Sequence, residues 1–84
     1  MTSDEALRHV RSYAAANRVR FSRHARERMG ERGASAEHVM HALQSATTCS
    51  SSGERWKVTG PDLDGDALTV VVVLEDEVIV VTVF

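Results

Sequence analysis

Apolar positions along this chain follow two different rhythms. Up to about residue 44 they recur every three or four residues. From residue 56 onward they alternate with polar ones or run together. The first rhythm predicts helices and the second strands. Residues 3–16 read as a helix, with Leu7, Val10, Tyr13 and Ala14 on one apolar face. Ser3 stands where an N-cap is expected, and Asp4 and Glu5 fall in the first turn, where the helix dipole favours acids. Asn17 ends it, and "RVRF" (18–21) is short and extended, about one turn-length of strand. Ser22 caps a second helix running to about Gly30, whose buried stripe is Phe21, Ala25 and Met29, spaced by four. Gly33 closes that segment. Ser35 caps a third helix with Ala36, Val39, Met40 and Leu43 facing inward. The stretch "SATTCSSSG" (45–53) is small and polar, and reads as a loop or a loop with a weak edge strand.

The remainder is β. In "ERWKVT", Trp56 and Val58 take the core side, and Arg55, Lys57 and Thr59 the other. "GPDLDGD" is a turn punctuated by Pro61 and Gly65. "ALTVVVVL" and "VIVVTVF" are β-branched runs joined by the acidic turn "EDE". The expected fold is α+β: three N-terminal helices packed on a three-stranded antiparallel sheet, as a single domain over residues 1–84. A two-residue loop at Glu75 and Asp76 would set Thr69 opposite Thr82. Either register leaves the last two strands apolar on both faces. One face packs on the helices. The other needs cover from a second copy, a bound partner or the first helix, because small monomers seldom expose so much apolar sheet.

Composition narrows the setting. A chain of 84 residues buries only roughly 60% of its unfolded surface, so a partner adds stability. The single Cys49 has nothing to pair with, which points to a reducing compartment and makes the cytoplasm the expected location. No charged-then-apolar leader opens the sequence. The longest apolar run, Ala67 to Leu74, is interrupted by Thr69 and too short to span a bilayer, so no membrane role is expected. The net charge of −2 argues against nonspecific nucleic-acid binding, but the charge is unevenly placed. Between residues 18 and 32, six arginines (18, 20, 23, 26, 28 and 32) face Glu27 and Glu31, an excess of +4. Between residues 54 and 77, seven acids face Arg55 and Lys57, an excess of −5. Nine of the ten fixed cations are arginine, whose planar fork suits phosphate.

Within the basic segment, His24, Arg28 and Arg32 follow a spacing of four. If the helix continues past Gly30 they share one face, beside the buried stripe. An imidazole among cations is suited to act as a base near neutral pH, and flanking guanidiniums hold a phosphate and stabilise charge developing on it. Against this, Glu27 and Glu31 lie within helical reach of the arginines and can absorb their charge. Arg23 and Arg26 fall elsewhere and read as solvated surface. Arg55 and Lys57 either line a concave sheet face that receives a phosphodiester or protect an edge strand by charge. His38 and His41 stand three apart near Glu37, but no third ligand of clear spacing and no HExxH accompanies them, so they read as exposed, as does His9. "DLDGD" has its glycine at the fourth position and Val73 where a calcium loop carries its twelfth-position glutamate, so it reads as an acidic hairpin turn. Cys49 lacks activating neighbours, and Ser50, Ser51 and Ser52 lack triad partners. Neither metal nor cofactor is expected.

With these residues laid out, "FSRHARERMGERGAS" resembles the H-x-x-x-R-M-x-x-R-G signature of a bacterial family catalogued as domain of unknown function 4258. The likeness continues through "ERWKVTG" and "LTVVVVLEDEVIVVTVF", roughly residues 19–84. It singles out His24, Arg28, Met29, Arg32 and Gly33, with Ala34 as the aliphatic residue that usually follows the Arg-Gly pair. The resemblance implies a small toxin of a type II toxin–antitoxin pair, related to the MqsR, BrnT and RelE/ParE-like toxins. Such toxins often stand beside a zinc-finger antitoxin of the MqsA type. They place helices on a small antiparallel sheet, and many cleave messenger RNA without a metal. The sequence departs from RelE-like ribonucleases near its end, where they tend to place basic or tyrosine side chains and "VIVVTVF" offers only Thr82.

The functional expectation is therefore a metal-independent endoribonuclease toxin that cleaves mRNA by 2′-hydroxyl attack. His24 is the acid–base group, Arg28 and Arg32 hold the phosphate, and Arg55, Lys57 and Thr82 form a second RNA-binding wall. Its partners are RNA and a cognate antitoxin, with a homodimer as a further way to cover the sheet. The alternative is a non-catalytic binding module whose arginine face docks an acidic partner and whose apolar sheet is a dimer or antitoxin interface. A metal protein using His38 and His41 is the third reading.

Overall fold

The structure, a computed structural model, describes residues 1–84. In chain order it places helix α1 at Ser3–Ala15, strand β1 at Val19–Phe21, helices α2 at Arg23–Arg32 and α3 at Ala36–Gln44, and strands β2 at Thr48–Ser52, β3 at Arg55–Pro61, β4 at Ala67–Leu74 and β5 at Val78–Val83.

Each helix begins on a hydroxyl residue. The cap of α1 is Thr2, one residue before the expected Ser3. Thr2 Oγ1 accepts from the Glu5 backbone N–H at 3.1 Å, and Glu5 Oε1 accepts from the Thr2 backbone N–H at 3.0 Å, a reciprocal capping box. Asn17, at φ 60°, turns the chain out of α1. Ser22 and Ser35 cap α2 and α3 as expected. Helix α2 does not stop at Gly30. It runs to Arg32 and ends where Gly33, at φ 68°, takes the left-handed conformation and Ala34 N–H donates to the Met29 carbonyl at 2.9 Å. A glycine inside a helix costs about 1 kcal/mol, not enough to break one whose other face is buried.

The sheet corrects the sequence reading. It has five strands in the order β1-β5-β4-β3-β2 rather than three, and it is mixed rather than antiparallel. The expected meander β3-β4-β5 is its centre, and a strand is added at each edge. One is β2, built from the small polar run and paired antiparallel with β3. The other is β1, which runs parallel to β5 with Val19 beside Val78 and Phe21 beside Val80. Each edge strand carries only a weak local signal, the extended "RVRF" and the small polar run read as a loop with a weak edge strand. β1 is three residues long and finds its partner at the far end of the chain. β2 is held by backbone hydrogen bonds and shows no apolar alternation.

The β4–β5 register also differs from expectation. The connecting turn has three residues, with Leu74 opposite Val78, and the ladder is irregular at Val71/Val72, where Val81 is the extra residue. Thr82 therefore lies opposite Val71, not Thr69, whose hydroxyl instead meets that of Thr59 at 2.9 Å. The bulge has a purpose visible in burial: it lets Val80 and Val83, an odd number of residues apart, both face the core fully buried.

All three helices pack on one face of the sheet. Val10 and Ala14 of α1, Ala25 and Met29 of α2, and Val39 and Leu43 of α3 join Val58, Val70, Val72, Val78, Val80 and Val83 in one cluster. Trp56, expected in the core, packs against this cluster half-buried. The opposite face carries no helix. Its apolar residues are nevertheless partly shielded by their neighbours: Val71 is 7% exposed, and Val73, Ile79 and Val81 are half-buried. No helix is long and apolar enough to cross a membrane.

Candidate functional site

Because α2 is continuous through Gly30, His24, Arg28 and Arg32 occupy one side of it, next to the buried Ala25 and Met29. The pose of this stripe is fixed by Ser22. Its backbone N–H donates to the Val80 carbonyl at 2.9 Å, its hydroxyl donates to the Val81 carbonyl at 3.1 Å, and that same hydroxyl accepts from Ala25 N–H at 3.0 Å. One serine thus starts the helix and fastens it to the bulge in β5.

Much of the segment's charge is already engaged. Arg20 pairs with Glu77 at 3.3 Å, Arg23 with Glu27 at 3.7 Å and Arg28 with Glu31 at 3.8 Å. Arg18 lies over the Tyr13 ring and Arg26 over the Phe21 ring, at 5.4 and 5.6 Å from the ring centroids. Arg32 joins no ion pair, and neither does His24, which is exposed. Of the four histidines, only His38 and His41 have a hydrogen bond to a ring nitrogen.

Arg55, Lys57 and Thr82 do share a surface. Ser50, Lys57, Val71 and Thr82 form one cross-strand row on the face away from the helices, with Arg55 two residues from Lys57 along β3. The Lys57 ammonium sits 5.4 Å from the centroid of the Phe84 ring. This surface and the α2 stripe do not face each other, because Ala25 and Met29 bind α2 to the other side of the sheet. The structure thus holds two separate basic surfaces, and the two walls expected to enclose one phosphodiester are not brought together.

A cleft of about 260 Å³ opens between the end of α2 and the β3–β4 turn, with Arg32, His38, Asp62, Asp64, Asp66 and Leu68 in its lining. The turn is braced from both sides. Asp62 Oδ1 accepts from the Asp64 and Asp66 backbone N–H groups at 2.8 and 3.0 Å. His38 Nδ1 accepts from Leu63 N–H at 3.2 Å and lies 3.8 Å from Asp62 Oδ2. His41 Nδ1 donates to the Pro61 carbonyl at 2.8 Å. The two α3 histidines therefore clasp this turn at different points rather than converging on a metal, and both are half-buried rather than exposed. His38, Asp62 and Asp64 do bring donor atoms within 4.8 Å of one another, a group able to hold a cation. Sequence spacing could not reveal it, because His38 reaches the aspartates only through the packing of α3 on the sheet. Three carboxylates beside Arg32 leave the cleft net negative and weaken the pull of that guanidinium on a phosphate.

Cys49 is half-buried, and burial pushes its thiol above the usual value, which suits an unreactive packing residue. No protein of curated function matches the chain. Residues 21–84 match the family described as a domain of unknown function (DUF4258). That span runs from Phe21, the last residue of β1, through the whole of α2 with its His24, Arg28 and Arg32 stripe, to the end of β5, and on this match the chain belongs to the DUF4258 family.

Proposed function

We propose that this protein binds the phosphodiester backbone of RNA along α2 and cleaves it as a metal-independent endoribonuclease, the toxin half of a type II toxin–antitoxin pair acting in the cytoplasm. The observation that carries this reading is the unbroken run of α2 to Arg32, which aligns His24, Arg28 and Arg32 on a helix pinned to the sheet by Ser22. Four residues of helix separate neighbouring members of the stripe by about 6 Å along the axis. Arg28 offers its planar fork to a phosphate. Its pair with Glu31 is long and partly exposed, so a phosphate displaces it at little cost. His24, one turn away, takes the proton from a ribose 2′-hydroxyl or returns one to the leaving 5′-oxygen. The 2′-oxygen bonds to phosphorus as the bond from phosphorus to the 5′-oxygen breaks, leaving a 2′,3′-cyclic phosphate and a 5′-hydroxyl. Arg32 adds a second, weaker phosphate contact beside the aspartate turn.

The test is a defined single-stranded RNA incubated with the purified protein in EDTA. The expected products carry cyclic phosphate ends, and His24→Ala slows their formation by about 10²–10⁴-fold. Equal rates for the two proteins would remove His24 from the mechanism, and no cleavage by either would remove the enzyme.

Two observations favour a second reading. No carboxylate or carbonyl orients the His24 ring, and the other basic surface faces away from it. A non-catalytic module, whose stripe only docks an acidic partner, needs neither. It predicts salt-sensitive binding with no RNA cleavage.

A further inference from the structure

The sheet face away from the helices has a composition of its own. Arg20, Arg55 and Lys57 rise from it, and its one paired carboxylate, Glu77, is held by Arg20 at 3.3 Å. Between these cations lie Val71, Val73 and Ile79. The other acids of this half of the chain are set in the turns at the ends of the strands, at residues 62–66 and 75–76, and in Glu54 of the β2–β3 turn. The result is an aliphatic strip flanked by positive charge, the arrangement of a protein interface with an apolar centre and a charged rim.

We propose that this face docks an acidic amphipathic segment of a partner protein, with its aliphatic side chains on Val73 and Ile79 and its carboxylates on Lys57 and Arg55. The proposal rests on reading the protein as one member of a two-protein module, and not on RNA cleavage. Width sets the kind of occupant. From β3 to β5 the strip is roughly 10 Å across, the diameter of one helix with its side chains, so it accepts a segment rather than a domain. Charge sets the sign. A second copy docked face to face with its two-fold axis beside Lys57 would bring Lys57 and Arg55 of the two chains together, where like charges repel. The floor sets the class. Single-stranded RNA is held by stacking its bases on aromatic planes. Here the floor is branched aliphatic, and the one ring nearby, Phe84, is already covered by the Lys57 ammonium.

The test uses three fluorescent probes on the full chain: an amphipathic helical peptide of leucine and glutamate, the same peptide with lysine for glutamate, and an oligouridine RNA. The glutamate peptide should bind best. Arg55→Glu combined with Lys57→Glu should weaken it by at least about tenfold. Ile79→Asp should weaken it as well, while Arg23→Glu, on α2 and away from this face, should leave it unchanged. Circular dichroism establishes that each variant is folded. RNA cleavage should persist in Ile79→Asp, which separates this proposal from the ribonuclease reading. The proposal is overturned by equal affinity for the two peptides, by a double variant that binds the glutamate peptide like the parent, by loss of RNA binding alone in that variant, or by a solution dimer that Ile79→Asp dissociates.

Discussion

Gly60 of β3 lies directly against the carbonyl of Ala42 in α3. A Cβ on Gly60 would stand 2.1 Å from that oxygen and 2.9 Å from the Ala46 Cα. Both obstacles are backbone and neither can rotate aside. Gly60→Ala must lift α3 off the sheet, and overpacking of this kind costs at least about 1–3 kcal/mol. A lower urea midpoint for Gly60→Ala, with a smaller change for Ala67→Gly at the exposed start of β4, is the expected result. An unchanged midpoint would mean that α3 slides freely over the strand.

Ser22 joins α2 to the bulge through one hydroxyl. Ser22→Ala removes both the helix cap and the bond to the Val81 carbonyl, at an expected cost of about 1–2 kcal/mol. Amide exchange should speed most at Ala25, whose N–H loses its acceptor. Exchange that rises equally along the whole chain would contradict a local anchoring role.

Phosphate contacts leave a signature in salt. If Arg28 grips one phosphate of a single strand, Arg28→Ala should reduce the slope of log affinity against log salt by about 0.7. Arg23→Ala, on a different side of α2, should leave the slope as it was. Fluorescence anisotropy with oligouridine across a salt series measures both, and equal slopes for all three proteins would take Arg28 out of the interface.

The α1 cap predicts a pH effect of definite sign. The Thr2 backbone N–H, and then the Thr2 side chain, hold the Glu5 carboxyl below its ordinary value. A group depressed on folding stabilises the fold above its unfolded value, and that support is lost as pH falls through the folded value. Carboxyl chemical shifts should show Glu5 titrating at lower pH than a free glutamate, and Thr2→Ala should move it back upward. A titration of Glu5 unmoved by Thr2→Ala would exclude the side-chain half of the box.

What could be read from sequence, and what could not, divides along a physical line. Ser22, the Ala25 and Met29 stripe and the glycine stop at Gly33 are local devices, and they placed α2 to within two residues of its end. The alternation in "ERWKVT" assigned Arg55 and Lys57 to one face correctly. The failures are non-local. The extended "RVRF" and the weak edge strand within 45–53 were legible, but their places in the sheet were not, because β1 pairs with β5 and β2 with β3 and neither partner is encoded in the residues of the strand itself. A two-residue loop at Glu75 and Asp76 sets Thr82 against Thr69, and strands apolar on both faces offer no alternation to reveal the three-residue turn and the Val81 bulge that set it against Val71 instead. Of the candidate site, the His24, Arg28 and Arg32 stripe was legible from its spacing. The clasp of His38 and His41 on the β3–β4 turn, and the carboxylates it sets beside Arg32, exist only once α3 lies on the sheet.

The pairing of β1 with β5 has a consequence in time. During synthesis, α2 leaves the ribosome long before the strand on which it rests. Until Val80 and Val83 arrive, Ala25 and Met29 have no floor and Ser22 no bulge to hold. Such distant pairings slow folding, and here they also order it: the arginine-bearing helix is locked into place by β5, so the finished charged surface forms only after residues 78–83 have been made.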